Sequence, residues 1–179
     1  MWKSLGGTGA LLGLLVVAAA AQEQATGLPG GASSLQESHG DWIVGCSMQG
    51  SGEKKTKICV LSQQQTDQKT GQRILAVEFR PADGAVAGIL VLPFGLALAK
   101  GVTLQLDDQP AMPELSFRTC LPVGCLVDVN LDDKATAALA TATTLKINAT
   151  VSESGQKATM AIPLNGFKAA VERAKALMK

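Results

Sequence analysis

The cysteines are the residues of this chain with the most evident chemistry, because thiols can form disulfides, bind zinc or take part in thiol–disulfide exchange. Four are present: Cys46, Cys59, Cys120 and Cys125. Between the last two, the sequence Leu-Pro-Val-Gly is typical of a four-residue turn. If strands flank that turn, its two cysteines face each other with Cα atoms ~4.5–5.5 Å apart, which suits a disulfide. The spacing therefore predicts a Cys120–Cys125 bond, and Cys46–Cys59 then closes a second hairpin.

The same spacings disfavour zinc binding and redox catalysis. Twelve residues separate the first two cysteines and four separate the last two, whereas paired zinc knuckles usually have about two to four residues between their ligands. Redox-active pairs usually have the C-x-x-C arrangement. We therefore expect structural disulfides, with no metal and no cofactor bound.

Nucleophilic or acid–base catalysis lacks a positioned imidazole in this sequence. The single histidine, His39, lies in a polar stretch that contains Gly and Ser. Ser51–Lys54 and Ser154–Lys157 match S-x-x-K, and Lys69–Gly71 matches K-T-G, as in serine enzymes of the penicillin-binding type. Those enzymes place the serine at the start of a buried helix, whereas all three matches here lie in polar turns. We assign no catalytic residue and predict a protein that is not an enzyme, with a small thiol-redox or hydrolytic enzyme as the alternative.

The elements that position these residues are predicted to be short strands. From Asp41 onward, apolar residues alternate with polar ones and turn signals recur about every 10 residues, which is typical of an all-β sandwich. Two stretches differ: 132–141 is Ala-rich with acidic capping residues, and 165–178 has an apolar stripe with helical period. The fold class is therefore a disulfide-linked β-sandwich over 41–179, with a short helix and a C-terminal amphipathic helix that caps an open end of the sandwich.

The first residues have the pattern of a secretory signal peptide. Lys3 precedes the apolar run Leu11–Val17, and Ala19–Ala21 offers a cleavage site after Ala21. The run is too short to cross a bilayer core of ~30 Å, and no later segment is long and apolar enough to do so. We predict a signal peptide over 1–21, a flexible polar leader over 22–40 and an exported mature chain without a transmembrane segment.

Charge and composition restrict the partners. Removing the predicted signal peptide with its Lys3 leaves equal numbers of basic and acidic residues, so the chain has no electrostatic footprint for nucleic acid. Aromatic residues make up only 3% and tyrosine is absent, which argues against stacking on bases or sugars. The expected partner is another protein, either of the cell envelope or of a host, and the oligomeric state is left open.

One turn is a candidate contact. It comprises Leu92, Pro93, Phe94 and Gly95. Phe94 could be an exposed anchor for a partner, but apolar residues are mostly core, so packing of Phe94 between the sheets is the favoured interpretation.

Five motifs in order resemble one protein family. They are Gly40–Trp42 leading into Cys46, Cys59–Gln63, Leu92–Leu96 continuing through Gly101–Asp107, Cys120–Cys125, and Ile162–Phe167. Their order is similar to that of the invasion-associated locus B family of exported bacterial proteins. The resemblance implies a periplasmic or otherwise envelope-located β-sandwich protein, with possible association with the cell surface, and some members are linked to entry into host cells. It carries over no catalytic residues, and it implies a structural role for the matching cysteines.

Overall fold

The computed structural model describes residues 27–50, 55–82 and 85–179. The predicted signal peptide over 1–21, its cleavage site after Ala21 and the Ser51–Lys54 motif lie outside the described residues. Two short 3-10 turns, Pro29–Gly31 and Leu98–Lys100, accompany the strands and helices. In chain order, the strands and helices are β1 (Ser34–His39), β2 (Trp42–Gln49), β3 (Thr56–Thr66), β4 (Arg73–Pro81), β5 (Val86–Leu92), β6 (Thr103–Leu106), β7 (Phe117–Leu121), β8 (Gly124–Leu131), α1 (Asp133–Leu139), β9 (Thr144–Thr150), β10 (Lys157–Pro163) and α2 (Phe167–Met178).

The strands form two antiparallel sheets. The larger sheet has seven strands in the order β1-β2-β3-β4-β5-β8-β7, and the smaller has three in the order β10-β9-β6. Buried residues alternate with more exposed ones along most strands, as in β9, where Leu145, Ile147 and Ala149 face the core. Buried residues of both sheets belong to one hydrophobic cluster. The predicted all-β sandwich is therefore confirmed.

An aromatic cluster connects the large sheet to the C-terminal helix. Trp42 of β2, Phe79 of β4 and Phe167 of α2 are all buried, and their ring centroids lie 5.1 to 6.2 Å apart. Gly88 of β5 makes room for this cluster, because a Cβ there would lie 2.4 Å from the Phe79 ring. The apolar stripe of α2 thus packs on the core face of the large sheet.

The position of α2 differs from the prediction that it caps an open end of the sandwich. The helix contacts β1, β2, β3 and β4, so it lies on the face of the sheet. The physical reason is the difference between the two sheets, since three strands cannot cover the inner face of seven. The helix covers the remainder of that face. Ala170 and Ala174 are small, so the helix can approach the sheet closely, and Leu177 is buried on the same stripe.

The prediction of a flexible leader over 22–40 is wrong for most of its described part. Leu28 is buried, and β1 pairs with β2 along its whole length, from Ser34 opposite Ser47 to His39 opposite Trp42. The sequence pattern missed this strand because Leu35 is its only large apolar residue. Backbone hydrogen bonds to β2 hold β1 at the edge of the sheet, where little of its side-chain surface needs to be apolar.

The short Ala-rich helix is confirmed, with a defined start. Asp132 is its N-cap, and its carboxylate accepts a hydrogen bond from the backbone N–H of Ala135 at 2.8 Å. The helix ends at Leu139, two residues before the predicted boundary at Thr141.

Candidate functional site

Four large apolar side chains are exposed at one end of the large sheet. Because β4, β5, β8 and β7 are successive antiparallel neighbours, the start of β4, the end of β5, the start of β8 and the end of β7 lie at the same end. The exposed fractions are 38% for Ile74, 62% for Phe94, 47% for Leu121 and 54% for Val123. We call these four residues the apolar rim.

Phe94 is exposed, so the favoured interpretation that it packs between the sheets is wrong. β5 ends at Leu92, whose side chain is buried and faces the core. Pro93 cannot continue the hydrogen-bonded ladder, and Gly95 has a φ of 84°, which turns the chain back so that Leu96 is buried again. The turn therefore presents Phe94 outward.

The prediction that Leu92 belongs to the contact surface is wrong. Leu92 is almost fully buried and pairs with Cys125 of β8, so its side chain is unavailable to a partner. Of the four predicted residues, only Phe94 offers a large exposed apolar side chain.

Sequence reasoning missed the other three members of the rim. Leu121 is the last residue of β7 and begins the turn to β8, Val123 lies within that turn, and Ile74 is the second residue of β4. A signal was present, since two large apolar residues inside a turn with Pro and Gly have little reason to be there for packing. Ile74 carried no such signal, because alternation along β4 predicts only which face it occupies.

Three of the four rim residues, Ile74, Phe94 and Val123, border a cleft of about 400 Å³. Phe94 and Val123 line it from the two turns, and Ile74 and Arg73 line it from β4. The cleft is therefore bordered by apolar side chains, with the Arg73 guanidinium as its charged group.

Three features hold the β7–β8 turn in place. The Cys120–Cys125 disulfide closes it, with an S–S distance of 2.00 Å. The Arg73 guanidinium donates a hydrogen bond to the backbone carbonyl of Val123. Gly124 has a φ of 132°, and a Cβ there would lie 2.6 Å from the carbonyl oxygen of Leu92, so only glycine permits this approach of β8 to β5. Leu121 and Val123 are thus presented on a fixed turn.

The second disulfide, Cys46–Cys59, joins β2 to β3 with an S–S distance of 2.02 Å. Both of its cysteines are buried, whereas Cys120 is exposed and Cys125 is buried. All four cysteines of the chain are therefore disulfide-bonded, in the pairs that the spacing predicts, and no sulfur is left as a thiolate ligand for zinc.

His39 lies at the end of β1 in an ionic cluster. Its Nε2 is 3.4 Å from the carboxylate of Glu37, which in turn accepts two hydrogen bonds from the Arg173 guanidinium at 2.6 and 2.7 Å. The hydrogen bond from Arg173, with a smaller contribution from His39, lowers the pKa of Glu37 to about 2. These contacts join β1 to α2.

Two other carboxylates stabilise turns. Hydrogen bonds from Thr143 lower the pKa of Asp107, which has a φ of 45°, and a backbone hydrogen bond from Thr70 lowers the pKa of Asp67. Among the described residues, His, Cys, Asp and Glu side chains do not converge in groups of three or more that could hold a metal ion. Within residues 27–50, 55–82 and 85–179, no helix has the length and apolar character needed to cross a membrane.

Comparison with known proteins gives consistent matches over most of the chain. The family model for invasion associated locus B protein matches residues 42–175. The chain is similar to an invasion protein B homolog of Brucella abortus, with 47% identity over 156 residues that cover 87% of each chain. It is also similar to invasion protein B of Bartonella bacilliformis, with 32% identity over 163 residues that cover 90% of this chain and 86% of that one. The crystal structure of invasion associated protein B from Bartonella henselae matches with a TM-score of 0.73 and 34% identity, over 80% of this chain and 96% of that one.

Proposed function

The chain belongs to the invasion-associated locus B family, and from that premise we propose that it is an exported protein of the bacterial cell envelope that binds another envelope protein through the apolar rim. The proposal assigns the chain a binding role without a catalytic step. Its relatives are named as invasion proteins rather than as enzymes, which supports that choice.

The exposure of the apolar rim carries this proposal. Four large apolar side chains from three strand ends share one end of the sheet, although burying them would be favourable. Aromatic side chains are frequent anchors of protein interfaces, and Phe94 is the most exposed of the large apolar residues in the described structure. The turn that carries Leu121 and Val123 is held by a disulfide, so little conformational entropy is lost when a partner orders it.

Export is supported by the cysteine chemistry and by the start of the sequence. Two disulfides require an oxidising compartment to persist, and residues 1–21 have the pattern of a cleaved signal peptide. The periplasm meets both requirements, and association with the cell surface is the second location that we consider.

The test places a photo-activatable amino acid at position 94 of the full chain, in the bacterium that makes it. We expect a covalent adduct with one envelope protein after irradiation of intact cells. The matched control carries the same amino acid at position 43, because Ile43 is also a partly exposed apolar residue but lies on β2, three strands away from β5. Phe94→Ala is expected to lower capture of the same partner, and Ile43→Ala is not.

Three results would contradict the proposal. The first is an equal yield of the adduct at positions 94 and 43. The second is unchanged capture by Phe94→Ala. The third is a lowered melting temperature of Phe94→Ala, which would return Phe94 to a packing role.

A role at the host surface is the second candidate function, and the names of the relatives favour it. Invasion protein B of Bartonella bacilliformis and the Bartonella henselae protein carry invasion in their names. Protease treatment of intact cells distinguishes the two locations, because a surface protein is degraded and a periplasmic one is protected. Protection in intact cells with degradation after lysis would contradict the host-surface role.

A further inference from the structure

We propose that the Cys120–Cys125 disulfide is a site of thiol–disulfide exchange, and that its reduction by a dithiol releases the turn that presents Leu121 and Val123. The consequence is weaker binding at the apolar rim. We expect selective reduction of Cys120–Cys125 because the two disulfides differ in exposure and in the strands that carry them. The loss of binding rests in addition on the proposed function.

Access differs between the two disulfides. Exchange begins with attack of a thiolate on one sulfur, so the rate depends on whether that sulfur can be reached. Cys46 and Cys59 are both buried in the core cluster. Cys120 is exposed, and its partner Cys125 is buried behind it. A protein dithiol can approach Cys120 without opening the core.

The strands that carry the two bonds also differ. β2 and β3 are internal strands of the large sheet, and each has a neighbour on both sides. β7 is an edge strand that pairs only with β8, and a register shift between Phe117 and Thr119 interrupts that pairing. Movement of β7 therefore breaks few backbone hydrogen bonds, whereas separation of β2 from β3 would disrupt the sheet.

The ring closed by the exposed disulfide contains half of the apolar rim. Leu121 and Val123 both lie between the two cysteines, which are five positions apart in the sequence. Arg73 donates its hydrogen bond to the backbone carbonyl of Val123 inside the same ring. Opening the bond thus frees residues that the partner would contact.

Reduction of the Cys120–Cys125 disulfide needs only the dithiol and protons from solvent. A thiolate of the dithiol attacks the sulfur of Cys120, and Cys125 leaves as a thiolate that takes up a proton from solvent. The second thiol of the dithiol, as its thiolate, then attacks the dithiol sulfur that is bonded to Cys120. This releases Cys120 as a thiolate, which is also protonated. Two electrons pass to the protein: Cys120 and Cys125 become thiols, and the dithiol becomes a disulfide.

The first part of the test measures which disulfide is reduced. The folded mature protein is incubated with graded dithiothreitol, free thiols are alkylated, and the modified peptides are quantified by mass spectrometry. We expect Cys120 and Cys125 to be alkylated at a dithiothreitol concentration at least about tenfold lower than Cys46 and Cys59. Equal reduction of the two bonds, or earlier reduction of Cys46–Cys59, would overturn the proposal.

The second part measures binding with a variant that needs no reductant. Cys120→Ala/Cys125→Ala should show faster backbone hydrogen exchange over 117–123 with an unchanged core, and lower photo-cross-linking at position 94. Its cross-linking should not respond further to dithiothreitol. Cys46→Ala/Cys59→Ala is the control for loss of a disulfide as such, provided that it folds.

The outcomes separate this inference from the function on which it rests. If Phe94→Ala lowers capture but the Cys120→Ala/Cys125→Ala variant captures normally, the binding rim stands and its redox control is wrong. If Phe94→Ala has no effect on capture, the proposed function fails and the control of binding fails with it. In that case the alkylation experiment still decides whether Cys120–Cys125 is the exchange site.

Discussion

Glu37 joins the first strand to the last helix. Its carboxylate lies against the Arg173 guanidinium, 136 positions later in the chain, with two short hydrogen bonds. Both side chains are partly exposed, at 28% for Glu37 and 38% for Arg173, so solvent screens the attraction. Because the pKa of Glu37 is lowered in the folded protein, the free energy of unfolding nevertheless depends on pH through this ion pair.

The first prediction concerns Glu37→Gln. The pKa of Glu37 is about 2 in the folded protein against an ordinary value of 4.5. The contribution of this carboxylate is therefore fully present above pH 4.5 and is lost as the pH falls towards 2, because the unfolded chain takes up the proton first. We expect the wild type to be more stable than Glu37→Gln at pH 7, and the difference to shrink between pH 4.5 and pH 2.

Urea unfolding of both proteins at several pH values measures this difference directly. Glu172→Gln is the control, because Glu172 is exposed on the same helix as Arg173. A difference between wild type and Glu37→Gln that stays constant from pH 7 to pH 2 would contradict the role of the ion pair.

At the scale of elements, α2 contributes to the core as much as a strand does. Phe167 at its start contacts both Trp42 and Phe79, with ring centroids 5.1 and 6.2 Å away. The helix therefore completes the layer that the three-stranded sheet leaves open. Its boundaries were predictable from the 3.6-residue period, but its place was not, because periodicity defines an apolar face without naming what covers it.

The second prediction tests this packing with Phe167→Ala. Removing a fully buried aromatic side chain leaves a cavity, so we expect the free energy of unfolding to fall by about 3 to 5 kcal/mol. Lys168→Ala, at the exposed neighbouring position, should change it by less than about 0.5 kcal/mol. Equilibrium denaturation measures both variants, and a small effect of Phe167→Ala would mean that α2 is not part of the core.

Periodicity along the sequence also fails to predict β1 and the exposed position of Phe94. β1 has too few apolar residues for a strand pattern, and its identity comes from hydrogen bonding to β2. The apolar character of Phe94 favours a place in the core, because apolar residues are mostly buried, yet the strand ends two residues before it. The backbone pairing of β1 with β2 and the end of β5 at Leu92 decide these two cases, and an alternation of apolar and polar side chains reveals neither.

At the scale of the whole molecule, the fold places the exposed apolar rim at one end of the large sheet, apart from the buried core. Both disulfides tie neighbouring antiparallel strands, and only one of them lies at the end that carries the apolar rim. If the rim binds a partner, as we propose, substitutions there should lower binding while leaving the core intact.

The third prediction concerns export of the whole chain. If residues 1–21 are a signal peptide, the protein recovered from a periplasmic extract begins at Gln22 and contains two disulfides. Leu14→Arg, in the apolar run, should block export and leave the unprocessed chain reduced in the cytoplasm, whereas Leu14→Ile should be exported normally. Intact-mass measurement of each fraction checks this. A mature protein that still begins at Met1 would contradict the cleavage site.

Features that depend on neighbours along the chain can be predicted from the amino-acid sequence. Alternation predicted most strands, turn residues predicted the hairpins and thereby the cysteine pairs, and five ordered motifs predicted the family that the comparisons support. The pairing of β1, the position of α2 and the assembly of the apolar rim from Ile74, Phe94 and the β7–β8 turn emerge only in the folded protein. The physical reason is that local patterns specify which face of an element is apolar, whereas burial depends on contacts between residues far apart in the chain.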